Sequence, residues 1–326
     1  MDHHATLLAL CAQFGKLHLM RYSLLHCGLL ALTGPDAPTF LHNLVSCDVA
    51  GLPANRSTYG SFCTPKGRML ASFLLWRTDE GCLMQLPASL RESARKRLAM
   101  YILRSKVRID DVTDRHAAFG IAGEGAVRFV ERELGTSLTE QHEAARTPRG
   151  TALNVSADRR ELIVPRQHAE AMRAALASSA EEAADDWWTA LDIRDGIGWV
   201  LPQTQEQFVP QSLNLDAIGG VSFNKGCYPG QEIVARMHYL GRLKERMYRV
   251  HVSDDKAPCP GDKLFGADLG EQAAGTIVVS VPAAAGGFDA LAVIRLGSVA
   301  AGPVRLQSPA GPSLEILPLP YELPSA

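Results

Sequence analysis

The stretch FNKGCYPGQEIVARM, residues 223–237, places a cation, a thiol, an aromatic ring, two glycines and a carboxylate around one turn. A proline at the start of a helix wastes no N–H group, and an acidic residue in the first turn suits the positive end of the helix dipole. The order of these residues therefore predicts a turn at residues 225–226 and a helix that begins near Pro229. Gln231 and Glu232 are expected in its first turn.

The chemistry of this turn centres on Cys227. Glycines 226 and 230 permit backbone angles or close contacts that a β-carbon would block. Free N–H groups at the helix start, next to Lys225, form a seat for a carboxylate or a phosphate. Positive potential favours the thiolate form of a nearby cysteine, so Cys227 is a candidate functional thiol, assisted by Lys225. No base partner is obvious, since the nearest histidine along the chain is His238, and the alternative interpretation is a cysteine buried in a structural turn.

The length and composition are those of an ordinary globular chain. Its 326 residues exceed what one small core needs and suggest two or three domains. A formal charge of −2 gives no overall attraction to nucleic acids or anionic membranes, so such binding would need a local patch. The seven cysteines are an odd number without a C-x-x-C pair, which favours a reduced, cytoplasmic setting over a zinc ribbon or a disulfide scaffold.

The N-terminus lacks the features of a targeting segment. Residues 1–25 contain no basic region followed by a small-residue cleavage site, and they begin with an acidic residue. No run in the chain approaches the roughly 18 apolar residues of a membrane span. We therefore predict a cytoplasmic protein with no membrane partner.

The first part of the chain predicts mostly strands. Residues 22–34 indicate one strand closed by a Gly-Pro turn, and a helix follows with Asp36 as its N-cap. Residues 57–87 indicate a β-hairpin or a β-meander, with turn residues at 65–67 and 79–81.

Helices are predicted next. Residues 89–104 have the amphipathic spacing of a helix, with Ser89 and Glu92 as a capping box. A strand–helix stretch covers residues 116–180. Another short helix, capped by an aspartate at 185 or 186, is expected to stop at Gly196.

From about residue 243 the composition changes to short β-like runs between Gly and Pro turns, which predicts a small C-terminal β-barrel or sandwich. The fold class is therefore α+β. Motifs for nucleotide hydrolysis, zinc proteolysis or serine hydrolysis are absent from the sequence, and GIAGEGAVR at 120–128 lacks the third glycine of a dinucleotide site.

Residues 208–236 resemble the signature of the YgfZ family, whose hallmark is K-G-C-Y-x-G-Q-E. The resemblance extends to LTGPDAPTFLHNLVSCDV at 32–49, CTPKGRMLASFLL at 63–75, WWTALDIRDGI at 187–197 and the C-terminal β region. YgfZ proteins are folate-binding relatives of the glycine-cleavage T-protein, an aminomethyltransferase. The resemblance implies a ring of three domains around a central folate pocket. It also implies a role in iron–sulfur cluster synthesis or repair that affects tRNA modification indirectly, without a defined reaction.

The expected domains follow from this resemblance. A discontinuous folate-binding core comprises residues 1–48 and 116–242, an inserted α+β subdomain comprises 49–115, and the C-terminal barrel comprises 243–326. The expected cofactor is tetrahydrofolate or a derivative, with no tightly held metal.

A folate needs an aromatic ring for stacking, a carboxylate for the pterin edge and cations for its acidic tail. Trp188 matches a folate-contacting tryptophan of the family, and helical spacing puts it on one face with Asp192 and Asp195. Packing of Trp188 in the core is the alternative. The predicted cofactor-binding residues are Cys27, Trp188, Asp192, Asp195, Gly226, Tyr228, Gly230, Gln231, Glu232 and Arg236.

Three positions depart from the related patterns. Arg194 stands where the T-protein has its pterin-binding glutamate, so Asp192, Asp195 or Glu232 would have to replace it. Cys27 stands where the YgfZ family tends to have a second tryptophan. The T-protein's catalytic aspartate falls at Ala94, which disfavours aminomethyl transfer.

Three functions stay open. The first is a folate-dependent accessory protein whose partners are iron–sulfur enzymes or assembly proteins, with Cys227 as a transient cluster ligand, a nucleophile or a redox reporter. The second is a one-carbon transferase acting on an unknown amine. The third is direct tRNA binding through seven Arg or Lys residues at 91–108 or six at 225–249, although charge runs are commonly solvated surfaces.

Overall fold

The computed structural model describes residues 20–239, 241 and 243–324. The N-terminal segment on which the targeting prediction rests therefore lies almost wholly outside the described residues. Three β-sheets and seven α-helices make up the described chain, so the fold is α+β, as predicted. None of these helices has both the length and the apolar composition that a membrane span requires.

The first sheet is built from the segments on either side of the predicted insertion. Its strand order is β11-β1-β7-β10-β9-β8, and only the pairing of β1 with β11 is parallel. Two helices cover one face and bury a separate apolar core. The elements are β1 (Arg21–Leu24), β7 (His116–Ala122), α3 (Gly125–Leu134), β8 (Ala144–Thr147), β9 (Gly150–Ser156), β10 (Arg159–Pro165), α4 (Arg166–Ala177) and β11 (Glu181–Glu182).

The second sheet contains the predicted meander. Its order is β3-β4-β5-β2-β6, all antiparallel, and its core includes the fully buried Trp76. β2 comes from the predicted core segment yet pairs with two strands of the predicted insertion, while the domain boundaries themselves stay predictions. The elements are β2 (Cys27–Thr33), α1 (Ala37–His42), β3 (Ser57–Cys63), β4 (Met69–Thr78), β5 (Gly81–Pro87), α2 (Arg91–Ala99) and β6 (Arg108–Asp111).

The third sheet is C-terminal and curls into a half-barrel, which agrees with the predicted small barrel. Its order is β16-β13-β14-β15-β12-β17, with every neighbouring pair antiparallel. The chain then returns to the centre, where the Tyr321 hydroxyl donates a hydrogen bond to the Gly196 carbonyl at 2.7 Å. The elements are β12 (Glu245–Val252), β13 (Lys263–Gly266), β14 (Ala273–Pro282), β15 (Phe288–Arg295), α7 (Leu296–Ala301), β16 (Val304–Leu306) and β17 (Leu314–Leu317).

The single strand predicted at 22–34 is wrong. The segment forms β1 and β2, which belong to different sheets, and the short link between them crosses from one sheet to the other. Leu25 bonds through its N–H to the Ala118 carbonyl of the first sheet, whereas Cys27 already pairs with Pro87 of the second. An apolar run does not reveal such a crossing, because both halves have the same β pattern.

One predicted cap is confirmed in position and the other is wrong. Asp36 is the N-cap residue of α1, as predicted, but its carboxylate makes no capping bond and instead accepts a hydrogen bond from the Lys106 N–H at 2.7 Å. Ser89 lies in a 3₁₀ turn rather than at a capping box, and Glu92 bonds to Arg95 of the same helix. Helix α2 ends at Ala99, well before the predicted end at residue 104.

The two helices that matter for the site match their predictions. Helix α5 (Trp187–Asp195) follows Asp186 and stops at Gly196, whose φ of 67° is left-handed and therefore suits glycine. Helix α6 (Gln231–Tyr239) begins two residues after Pro229, with Glu232 in its first turn. These local signals sufficed because each end is set by residues adjacent in sequence.

Candidate functional site

A central cavity of about 240 Å³ lies where the three sheets meet. Each sheet contributes to its wall, and α5 closes one side, so the fold forms a ring around this space. The lining is mostly apolar with a few polar groups, as in sites for small organic ligands. It consists of Leu24, Leu25, His26, Cys27, Gln85, Leu86, Pro87, Glu161, Asp185, Trp188, Thr189, Asp192, Ile197, Trp199, Leu201 and Val279.

The Trp188 indole is held by two neighbours. A β-carbon at Gly120 of β7 would come within 2.3 Å of the ring, so glycine at this position makes room for the indole. The Arg159 guanidinium lies 4.1 Å from the ring centroid, a cation–π contact. Trp188 is 8% exposed and lines the cavity, so the predicted aromatic wall and the alternative packing role are combined in one side chain.

The predicted carboxylates of α5, Asp192 and Asp195, lie close together, but both bind a cationic side chain of the protein. Arg159 is fully buried and donates hydrogen bonds to Asp192 at 2.6 Å and to Asp195 at 2.9 Å. Asp192 also accepts a hydrogen bond from the Trp199 indole N–H at 2.9 Å. Arg194, the departure noted above, bonds to Asp158 and Asp195 and so belongs to the same network.

The pKa shifts indicate that the charges of this network largely balance one another. Burial opposes the charge of Arg159, but Asp192 and Asp195 raise its pKa above the ordinary value. Burial would raise the pKa of Asp195, but Arg159 and Arg194 together hold it below the usual range. Asp195 is not part of the cavity lining. The network therefore positions Trp188 and the cavity wall, and Asp192 is the carboxylate of the predicted pair that reaches the cavity.

The most distinctive polar group of the cavity is Glu161, which the sequence analysis missed. It is 2% exposed, and its Oε2 has no hydrogen-bond partner among the described residues. Burial raises the pKa of its carboxyl group to about 7, and the neighbouring Asp192 adds to this, against hydrogen bonding with Gln85 and Trp188. Gln85 is also buried, and its Oε1 has no partner in the described structure. Both side chains line the cavity.

A weak sequence signal for this pair existed. Glu161 lies in the strand RRELIVP, 159–165, and Gln85 lies in the strand GCLMQLP, 81–87, where the other residues are mainly apolar. A polar residue within a buried strand needs a partner, which is either another protein group or a ligand. Only the sheet pairing shows that these two side chains face the same cavity.

Lys225 in the signature turn is bound by the backbone of the protein itself. Its ammonium group donates hydrogen bonds to the backbone carbonyls of His42, Val45 and Cys47, which follow or end α1. It also lies 5.0 Å from the ring centroid of Tyr228. Burial lowers the pKa of Lys225 to about 8. The charge is thus committed to three backbone carbonyls, one at the end of α1, where a cation is favoured, and two just beyond it.

Glycine is required at one of the two predicted positions. Gly230 has a φ of 86°, and a β-carbon there would lie 2.6 Å from the Gly67 Cα and from the Thr64 carbonyl oxygen. The β3–β4 turn therefore packs directly on the start of α6. At Gly226 a β-carbon would meet no described atom within 4 Å, and φ is not left-handed, so the expected steric need is absent within the described protein.

The remaining signature residues vary in exposure. Tyr228 is 6% exposed and packs inward, while Gln231 donates a weak hydrogen bond to the Lys225 carbonyl at 3.4 Å. Glu232 and Arg236 are exposed on α6. The signature segment thus exposes Glu232 and Arg236, while Lys225 and Tyr228 contact the rest of the protein.

Cys227 is exposed at this turn, which contradicts the alternative of a buried structural cysteine. In contrast, burial raises the pKa of the Cys47 and Cys63 thiols to about 12 and that of Cys82 to about 11. Burial likewise raises the pKa of Cys27 at the cavity wall. Thiols of this kind stay protonated and unreactive, so accessible thiol chemistry in the described chain belongs to Cys227 and to Cys259.

The predicted site residues therefore fall into two groups. Cys27, Trp188 and Asp192 line the central cavity. Among the described residues that line it, none comes from 225–236, so the signature turn and the cavity are distinct features. The sequence predicted them in a single pocket.

The basic stretch at 91–108 is partly neutralised. Arg91 bonds to Asp111, and Glu92 bonds to both Arg95 and Lys96. Arg108 likewise bonds to Asp110. In the stretch 225–249, Arg246 and Arg249 pair with Asp216 and Asp289. Direct RNA binding by these stretches stays a prediction, with fewer free cations than the sequence suggested.

Comparison with known proteins identifies first the class. Residues 22–149 match the family described as the GCVT N-terminal domain. The fold resembles that of a solved structure, the glycine cleavage system aminomethyltransferase T from Bartonella henselae, with a TM-score of 0.71 over 93% of this chain and 86% of that one. The two sequences are 15% identical, so this likeness concerns the fold. The chain has the fold of the aminomethyltransferase T-protein class.

Curated relatives then give the family. A protein from Yersinia enterocolitica named tRNA-modifying protein YgfZ is 30% identical over 90% of each chain, and its Yersinia pestis counterpart is 31% identical over 90% of each. A Vibrio atlanticus protein of the same name is 34% identical over 67% of this chain and 65% of the relative. The chain belongs to the YgfZ family, as the resemblance of its signature indicated.

Proposed function

We propose that this protein is a folate-binding accessory protein for iron–sulfur cluster synthesis or repair, through which it affects tRNA modification indirectly. The central cavity is the proposed seat of the pterin ring of tetrahydrofolate or a derivative. Family membership and the T-protein fold support folate as the ligand class. The observation that carries the proposal is the pair of unpartnered, buried acceptor oxygens of Glu161 and Gln85 at the cavity wall.

The chemistry of this pair suits a pterin. The pterin edge carries an amide-like N–H and an amino group, which are hydrogen-bond donors, and a carboxylate beside an amide oxygen accepts from both. Buried acceptors without partners are costly, so a ligand that donates to them gains what the free protein lacks. Glu161 thus supplies the carboxylate that Arg194 cannot, and Trp188 and Trp199 supply aromatic walls.

The reaction chemistry of a bound folate would be that of a one-carbon carrier, and the protein residues bind and orient it. Glu161 and Gln85 would fix the orientation of the ring, while the Arg159 network holds Trp188 against it. The apolar residues of the lining exclude water from the ring. Aminomethyl transfer is disfavoured, because Ala94, at the position matching the catalytic aspartate, is a buried alanine without a titratable group.

Titration with tetrahydrofolate tests the pocket. Binding is followed by calorimetry and by the fluorescence of the tryptophans in the cavity wall. We expect Glu161→Gln to weaken binding by about tenfold, since a charge-assisted bond is replaced by a neutral one, and Gln85→Leu to do the same. Glu170→Gln, an exposed change on α4, is the matched control. Equal affinity in all four proteins would remove Glu161 and Gln85 from the site, and no binding to the native protein would refute the folate proposal.

The proposed functional thiol is Cys227, since it is exposed and lies in the family signature. One cysteine does not hold a cluster alone, so partners, which we propose are iron–sulfur enzymes or assembly proteins, would supply the other ligands. In a strain lacking the protein, we expect the activity of cluster enzymes to be restored by the native chain but not by Cys227→Ala. Cys259→Ala, which removes the other thiol exposed in the described part of the chain, should restore it fully. Rescue by both variants would exclude a functional role for Cys227.

A further inference from the structure

Exposed apolar side chains lie just beyond the end of helix α2. Leu103 is 88% exposed, the largest exposed fraction of any large apolar side chain in the described chain, and Met100 is 64% exposed. Single exposed apolar residues are normal on protein surfaces and need no explanation. Two of them so close together in one short segment form a local apolar surface, and such surfaces mark interaction sites.

The segment that carries these side chains is fixed to the rest of the protein. The Tyr101 ring packs edge-on against Phe62 of β3, with ring centroids 6.0 Å apart. Further along, the Lys106 N–H donates a hydrogen bond to the Asp36 carboxylate at 2.7 Å. The apolar side chains are therefore held in water by an anchored backbone. Covering them with an apolar environment would be favourable, because apolar surface would leave water.

Cations without ion pairs accompany the apolar side chains. The sequence contains no acidic residue from 93 to 109. Three exposed cations of this stretch form no ion pair with any residue of the described chain, namely Arg97, Arg104 and Lys106. We call residues 97–106 the α2 tip. Its surface combines projecting apolar side chains with positive charge that the protein itself does not neutralise.

This combination favours an anionic lipid surface over other partners. A second copy of the chain, packed tip to tip, would bring the same cations together, and like charges repel. Single-stranded nucleic acids stack on aromatic rings, whereas the exposed apolar residues of the tip are aliphatic. A protein partner would need a preformed pocket for Leu103. A lipid layer needs none, since it accepts apolar side chains below its headgroups and holds cations at its phosphates.

We propose that the α2 tip attaches the protein reversibly to an anionic lipid surface. Met100 and Leu103 enter the boundary between headgroups and acyl chains, and Arg97, Arg104 and Lys106 bind the lipid phosphates. The formal charge of −2 gives no general attraction to such a surface, so binding depends on this local patch.

This inference concerns a surface contact and not a membrane span. The prediction of no membrane partner came from the absence of a spanning run and of a targeting segment, and neither feature bears on contact with a lipid surface. The tip is also independent of the proposed folate binding, since none of its residues lines the central cavity. Two apolar side chains and three cations should give weak, reversible attachment, comparable to that of a single acyl chain.

Co-sedimentation of the full chain with vesicles tests the proposal. One set of vesicles contains phosphatidylcholine with about 30% phosphatidylglycerol, and the other contains phosphatidylcholine alone. We expect the native protein to bind the anionic vesicles about tenfold more tightly at low salt, with the difference reduced as salt is added. Leu103→Ser should weaken binding about tenfold, because inserted apolar surface is lost, and Lys106→Glu should do the same by reversing a charge.

Two matched changes elsewhere on the surface serve as controls. Ile316→Ser removes an apolar side chain of β17 that is 41% exposed, and Lys256→Glu reverses an exposed lysine between β12 and β13. Both variants should bind the anionic vesicles as the native protein does. Urea denaturation of every variant checks that it is folded, which we expect because each substituted side chain is exposed.

Four outcomes would overturn the proposal. The first is equal binding of the native protein to anionic and neutral vesicles, or binding to neither. An equal loss in Lys106→Glu and Lys256→Glu would show a general charge effect, and undiminished binding of Leu103→Ser would show that the tip does not insert. A dimer of the native protein in sedimentation equilibrium that Leu103→Ser abolishes would assign the tip to contact between two copies.

Discussion

The central cavity and the signature turn both contain an ionisable group moved toward neutral pH by burial, yet they treat it in opposite ways. In the turn, the Lys225 ammonium has a partner for each of its three donor hydrogens, all of them backbone carbonyls of 42–47. In the cavity, Glu161 keeps one oxygen without a partner in the described structure. The polar groups of the turn are thus satisfied within the protein, whereas the cavity wall keeps an acceptor to which the proposed ligand would donate.

This difference assigns different tasks to the two regions. Hydrogen bonds and packing hold the chain on either side of Cys227. The thiol of Cys227 is therefore exposed on a backbone that is fixed in place. The acceptor oxygens of Glu161 and Gln85 without partners in the described structure fit the ligand recognition that we propose for the cavity. Substitutions in the turn should therefore act mainly on stability, and substitutions in the cavity mainly on binding and on its pH dependence.

The largest effect is expected at Gly230. Replacement by alanine puts a β-carbon 2.6 Å from two backbone atoms of the β3–β4 turn at a φ of 86°. Strain and overpacking together should lower the free energy of unfolding by about 4 kcal/mol. Gly226→Ala is the matched change, because the β-carbon there meets nothing within 4 Å, and should be nearly neutral. Urea denaturation measures both, and similar losses in the two variants would contradict the packing of the turn.

Lys225→Met comes next. It leaves three partly buried carbonyls without their shared donor, and we expect a loss of about 3 kcal/mol in unfolding free energy. The labelling rate of Cys227 by a thiol reagent should also change, because the hydrogen bonds that hold the neighbouring backbone are lost. Lys66→Met, at an exposed lysine of the adjacent turn, is the control. An unchanged stability in Lys225→Met would mean that the carbonyls of 42–47 do not need the ammonium group.

Much of the fold could be predicted from the sequence because helix ends and turns depend on nearby residues. Gly196 ends α5, and Pro229 precedes α6, because helix ends depend on residues next to them in the chain. The meander at 57–87 followed in the same way from its turn residues. What failed was long-range: the Val45 carbonyl that binds Lys225 is 180 residues away, and no local pattern shows that contact.

The cavity was predicted in part for the same reason. The family resemblance indicated Trp188, and helical spacing put Asp192 on the same face, but their partner Arg159 and the carboxylate of Glu161 come from β10 of the first sheet. A buried polar residue in a strand needs a partner, but the sequence does not show which one. The pairing of strands decides that, and it depends on the whole chain.

The third prediction concerns the pH dependence of Glu161. Its pKa is raised from 4.5 to about 7, so the folded state holds the proton more tightly than the unfolded chain does. The stability from this group is full below pH 4.5 and is lost as the pH rises through 7, a change on the order of 3 kcal/mol. Glu161→Gln stays neutral and should remove this loss, gaining stability over the native protein at pH 8 but not at pH 4.5.

Denaturation at pH 4.5, 6 and 8 measures this difference, with Glu170→Gln as the exposed control. A constant gap between the native protein and Glu161→Gln across this range would show that the carboxyl group has its ordinary pKa. The comparison between the two regions would then fail on the cavity side, because a solvated carboxylate would not be an unused acceptor.

The smallest effect is expected at Trp199, which connects the cavity wall to the Arg159 network. Trp199→Phe removes the hydrogen bond from the indole to Asp192, which keeps its bond to Arg159, so the cost should be about 1 kcal/mol. Trp187→Phe, at a half-buried indole with no hydrogen bond among the described residues, should cost less. If the two changes cost the same, the wall is braced by packing alone, and the cavity region would be less dependent on its polar groups than the turn.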